Sequence, residues 1–290
     1  MLFDLRSPGR RRVIKVIYGG LAFLMASGLI FFGIGSDATG GLSEIFSGGG
    51  GDDTGFEDQI EDANNALEEN PRDTANLAEL VQLHYQAGTS QIEIDPDTQQ
   101  QTLTTKAEEE LLAGADAWDS YVKFSKGKVS SGTALLAVQT FATLAQGQLT
   151  AAAGGTGQQA LDEADDSLAS WKGAAEAQRV AAEERGDAEA YASLATLLYF
   201  AGEFGPADQA KQQALAAAKG DEKSELEKEL SDAEKQGRQI NTAIEQYRKQ
   251  LAKAGAGAPG GGGATGENPL SGLGGGGLSG GGAGGGLSTP

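Results

Sequence analysis

The chain has 290 residues, no cysteine, one histidine and a formal net charge of −19. That acidic balance repels phosphate backbones and excludes nucleic acid as a partner of the main domain. Without cysteine there are no disulfides or thiolate nucleophiles, and a lone His84 cannot build a histidine-cluster metal site.

Residues 1–15 run against the overall charge: Arg6, Arg10, Arg11, Arg12 and Lys15 face only Asp4, a net of +4. They are read as a basic cytoplasmic segment. Next comes 16-VIYGGLAFLMASGLIFFGI-34, an uncharged and mostly apolar run. As a helix it covers about 28 Å, the thickness of a bilayer's hydrocarbon core. Residues 16–35 are therefore expected to be a single transmembrane helix with the lipid bilayer as partner. No lysine or arginine follows until Arg72, so the positive-inside rule puts the carboxyl-terminal domain outside the cytoplasm. The alternative is a secreted protein cleaved near Ala38, after Ser36-Asp37-Ala38. The apolar run is longer than the 7–15 residues of an ordinary signal core, which favours a retained anchor. Residues 36–55 are a glycine-rich linker around the apolar island LSEIF.

From Phe56 onward apolar residues recur at spacings of three and four, and glycine or proline punctuates the runs. The pattern predicts helices near 57–70, 74–87, 104–126, 132–146, 158–185, 188–202, 205–219 and 221–253. Only Gln91-Ile92-Glu93-Ile94 hints at extended chain, just before Asp95-Pro96. Paired helices joined by short turns give an all-α expectation, a helical solenoid over 56–220.

One pair carries a family signature. In 188-AEAYASLATLLYFAGEFGPADQAKQQALAAAKGD-221, Tyr191, Leu194, Ala195 and Leu198 fall at the places of W-x2-L-G-x2-Y. Gly202 lies at the turn, and Ala207 and Ala214 take the small places of the second helix. This unit resembles the tetratricopeptide repeat; Lys211 and Lys219 depart from its Phe and Pro places. A second match starts at Thr74 (Leu77, Leu80, Val81, His84, ending at Gly88), and a third at Thr133 (Leu136, Gln139, Thr140, Thr143, Gly147). In these two units the helix pair is spread by insertions at 89–105 and 148–157.

The resemblance implies proteins or peptides as partners, bound in a groove lined by the first helix of each pair. The groove positions it assigns are Ala75, Ala78, Gln82 and Tyr85, then Ala134, Ala137, Phe141 and Leu144, then Glu189, Ala192, Thr196 and Tyr199. Gln82, Tyr85, Phe141, Leu144, Thr196 and Tyr199 are its candidate contacts. Extended apolar segments suit that surface.

In the last helix Leu226, Leu230, Ala233, Gly237, Ile240, Ile244, Tyr247 and Leu251 form a heptad seam. Residues 221–254 are thus a capping helix or a homo-oligomeric coiled coil, with the small Ala233 and Gly237 favouring the cap. Residues 255–290 are dominated by glycine and are expected to be a disordered tail. Catalytic motifs fail on context. Gly277-Leu-Ser-Gly-Gly281 fits G-x-S-x-G without flanking strand or helix, and Ser120-x-x-Lys123 lacks its companion motifs. Asp95–Gln99 starts like a calcium loop, but Gln100 and Lys106 break it. The chain is read as a non-enzyme, with no cofactor. The functional expectation is a membrane-anchored protein-binding scaffold that assists export or folding of envelope proteins. A self-associating envelope structural protein is the alternative.

Overall fold

Polar caps set where the helices begin. The Asp73 carboxylate accepts the backbone N–H groups of Ala75 and Asn76, and the hydroxyls of Thr104 and Ser130 accept those of Ala107 and Thr133. Asp187 does the same for Ala190. Each satisfies a donor that the first helical turn leaves open.

The computed structural model describes residues 54–94, 101–256 and 268–271. Residues 1–15, the expected span 16–35 and nearly all of the linker 36–55 lie outside the described residues. Among the described residues no helix is long and apolar enough to cross a membrane.

The described chain is helical: α1 Thr54–Glu69, α2 Thr74–Ser90, α3 Thr105–Phe124, α4 Ser131–Gly154, α5 Gly157–Arg185, α6 Ala188–Phe200, α7 Phe204–Ala217 and α8 Glu222–Ala256. Between α2 and α3 a two-residue antiparallel pair, β1 Glu93–Ile94 with β2 Gln101–Thr102, closes a small hairpin. Successive helices pack on one another from α1 to α7, α2 also touches α4, and α8 lies across α5, α6 and α7.

The α4–α5 pair is the centre of the core. Its contact surface is largely alanine, with Ala134, Ala137, Ala145, Ala160, Ala164 and Ala174 all fully buried. Small side chains let the two helix backbones approach closely, so dispersion contacts accumulate along their length. Two buried hydroxyls pin the pair. Ser167 donates to the Ala145 carbonyl at 2.7 Å, and Ser170 donates to Gln148 Oε1 at 2.8 Å.

Helix α4 runs seven residues beyond Gly147, so 148–157 is not an insertion between helices. Gly147 is a packing glycine rather than a stop: a Cβ there would lie 2.7 Å from Leu103 Cβ. The helix ends at the Gly154-Gly155 pair instead, with Gly155 N–H bonded to the Ala151 carbonyl.

The seam of α8 faces its own chain. Leu230, Ile240, Ile244 and Tyr247 are buried, and they join core clusters with residues of α4 to α7. Lys211 of α7 reaches Glu234 of α8 at 3.8 Å, and the Arg238 guanidinium lies 4.4 Å from the centre of the Phe204 ring. Within this chain α8 is the covering helix.

The tail is not wholly without a place. Residues 268-NPLS-271 sit against the main body, with Leu270 fully buried.

Candidate protein-interaction site

The six residues assigned to a groove divide in the structure. Leu144 and Tyr199 are fully buried, so neither presents a side chain to a ligand. Tyr199 lies against α7 and α8, where its hydroxyl donates to Asp208 Oδ1 at 2.7 Å. Phe141 is half-buried and wedged against α5, for a Cβ on Gly173 would come within 2.7 Å of its ring. Tyr85 is half-buried over Leu111, Leu144 and Leu103, and burial pushes its hydroxyl pKa up. Gln82 and Thr196 are half-buried on α2 and α6. One cluster therefore unites Tyr85, Phe141 and Leu144, and Tyr199 belongs to another.

The register explains the displacement. Helix α4 packs against both α3 and α5, so Ala134, Ala137, Phe141 and Leu144 point at those neighbours. Ala192 is buried for the same kind of reason on α6. The open stripe of α4 is Leu135, Gln146 and Thr150, with the half-buried Gln139 and Ala142 between them at helical spacing. Leu135 is 37% exposed, one of the few large apolar side chains so placed. On α2 the open stripe is Ala75, Ala78, Glu79, Gln82 and Gln86; on α6 it is Glu189, Ser193 and Thr196.

Charge separates these helices from the rest. Glu79 and Glu189 are the only acidic residues on α2, α4 and α6, which carry no lysine or arginine. The imidazole of His84 turns inward, its Nδ1 2.8 Å from Glu110 Oε2. In a chain of net charge −19 this leaves a nearly neutral set of stripes rich in Gln, Thr and Ala.

Acids are spread over α1, α3, α5 and α8, and those of α3 and α5 influence one another. Burial first, then Glu108, Asp166 and Asp162 in that order, raise the pKa of Glu163. Burial, Asp116 and Glu176 likewise raise that of Asp119. Each helix thus places carboxylates within electrostatic reach of the other's. Because the folded state holds the Glu163 proton more tightly, its charged form costs stability. The cost is absent well below the ordinary value of 4.5 and sets in as pH rises through the raised one. Glu163→Gln is therefore expected to raise the melting temperature at pH 7 by about 1–2 °C. The gain should vanish below about pH 4, as thermal denaturation at both pH values would register.

No charged residue occurs from Val129 to Leu161, which marks α4 as unlike the other helices. Neither that absence nor a repeat register decides which of its faces stays open.

No protein-family model, no characterised protein and no solved structure matches the chain.

Proposed function

We propose that this chain is a membrane-anchored scaffold of the tetratricopeptide-repeat type, which binds extended, weakly apolar segments of other proteins along α2, α4 and α6. The supporting observation is the uncharged open stripe of α4, placed in a strongly acidic protein. Helix α2 packs against α4, and Val138 and Ala142 of α4 border the core cluster containing Leu194 and Leu198 of α6.

The chemistry suits a peptide backbone. The glutamines Gln82 and Gln146 each offer both a donor and an acceptor, so they can bond main-chain groups without regard to sequence. Leu135 supplies apolar contact. The carboxylates of α3 and α5 lie on other helices and keep the molecule soluble. Residues 16–35, read as an anchor, would hold this surface near the bilayer and raise its effective concentration toward membrane-bound or newly exported clients. Assistance in export or folding of envelope proteins is the role that fits.

The test is a crosslinked pull-down from detergent-solubilised membranes. It compares the unmodified chain with Leu135→Asp/Gln146→Asp and with the control Glu183→Ala/Glu184→Ala. Leu135 and Gln146 are exposed, so the helical circular dichroism of the first variant should be unchanged. Crosslinked polypeptides are expected to fall at least tenfold in that variant and to persist in the control. An identical crosslinking profile in all three proteins would sink the proposal.

A further inference from the structure

A four-residue segment of the glycine-rich tail makes a built contact. Asn268 Nδ2 donates to the carbonyls of Ala152 and Gly155, both at 3.1 Å, and of Ala153 at 3.3 Å. These are the carbonyls that the end of α4 leaves without an intrahelical partner, at its partially negative terminus. Asn268 Oδ1 accepts the Leu270 N–H at 2.9 Å. The Asn268 carbonyl accepts the Ser271 N–H at 3.0 Å and the Ser271 hydroxyl at 2.8 Å. Asn-Pro-Leu-Ser is thus a β-turn with proline at its second position, closed by its own side chains. Leu270 then enters a slot between the end of α4, the start of α5 and α8, among Leu149, Ala160, Leu161, Ile240 and Ile244.

We propose that this slot is a recognition site for an Asn-Pro-Leu-Ser turn, occupied in cis by the chain's own residues 268–271. Each element of the turn has a separate job. Asparagine is required because aspartate has no N–H to give and would set a negative charge against a helix carboxyl terminus. Glutamine carries an extra methylene, which breaks the bond back to the Leu270 N–H. Proline fixes the turn before docking, so little entropy is lost on binding. Leucine fills the slot.

Eleven residues join Ala256 to Asn268. A tether of that length gives the turn an effective concentration on the order of millimolar, so a turn in solution competes poorly while the cis one is intact. The slot is separate from the open stripe of α4, and its test is independent of the client-binding reading.

The probe is a fluorescent synthetic peptide of residues 264–274, titrated into two full-length chains in detergent micelles. One chain is unmodified; the other carries Asn268→Ala with Leu270→Asp and so loses its own occupant. The variant is expected to bind the peptide saturably, and the unmodified chain at least tenfold more weakly. A peptide carrying Asn268→Asp should show no saturable binding to either. Failure of the variant to bind, with its helical circular dichroism intact, overturns the proposal, as does equal binding by both chains. Should the variant lose its fold, hydrogen exchange on the unmodified chain decides. The Leu270 and Ser271 amides should exchange at least tenfold more slowly than the glycine amides at 274–277; equal rates overturn the site.

Discussion

Tyr199→Ala is expected to lower the unfolding free energy by about 3–5 kcal/mol, the range for deleting a large aromatic side chain from a core. The ring is fully buried, inside the cluster that joins α6, α7 and α8. Its neighbours include the Phe204 ring, 6.2 Å between centroids, while the Tyr199 carbonyl lies against Gly237 and Ala207 and Ala210 are buried in the same cluster. The backbone and alanine sides of that pocket cannot collapse into the space a ring leaves. Tyr199→Phe separates the two contributions. It keeps the packing and removes the donor 2.7 Å from the Asp208 carboxylate. That carboxylate is exposed and can turn to water instead, so the loss is about 0.5–1.5 kcal/mol. The same burial and hydrogen bond push the tyrosine pKa up, so the hydroxyl stays protonated and the bond persists through neutral and mildly alkaline pH. Denaturant unfolding followed by helical circular dichroism would show a lower midpoint at an unchanged slope. A shift under about 1 kcal/mol for Tyr199→Ala would mean that the ring is not a core residue. Loss of binding in a Tyr199→Ala protein therefore reports on stability, not on recognition.

Much of the helical architecture was legible, because local chemistry fixes it. The Asp73, Ser130 and Asp187 caps and the left-handed Gly186 and Gly202 mark boundaries in the chain itself. The extended Glu93–Ile94 was visible too, though its partner Gln101–Thr102 was not, since two residues show no alternation. The end of α4 was misread at Gly147 because glycine both stops helices and admits neighbours, and only the contact with Leu103 tells which. Side-chain direction was the hardest part. In α4 and α6 alanine and other small or apolar residues occur all round the helix, so spacing gives little sense of which side is inward. The places assigned to Ala134, Phe141, Leu144 and Tyr199 fell on inward faces for that reason. The Asn268–Ser271 turn was hidden by its surroundings: four residues have no periodicity, although Asn-Pro was already a turn signal.

Gly237→Ala gives a sign that separates two roles of α8. In a helix whose seam is free, or meets a second chain with room to spare, glycine is a weak point, and alanine would stabilise by about 0.8–1 kcal/mol. Here Gly237 lies directly on α6. A Cβ would meet the Tyr199 carbonyl oxygen, with the carbonyl carbon 2.6 Å and Tyr199 Cβ 3.2 Å away. Backbone cannot rotate aside as a leucine side chain can, so α8 must lift from α6. The expected result is a loss of about 1–3 kcal/mol, the usual cost of overpacking. The loss should fall on the contacts that Leu230, Ile240 and Ile244 make with the rest of the chain. Chemical denaturation at two protein concentrations tenfold apart is the measurement. A covering helix predicts a lower midpoint in Gly237→Ala that does not depend on concentration. A self-associating coiled coil predicts a higher midpoint that rises with concentration, because association stabilises by mass action. The second pattern would detach α8 from its own chain and remove the wall that holds Leu270.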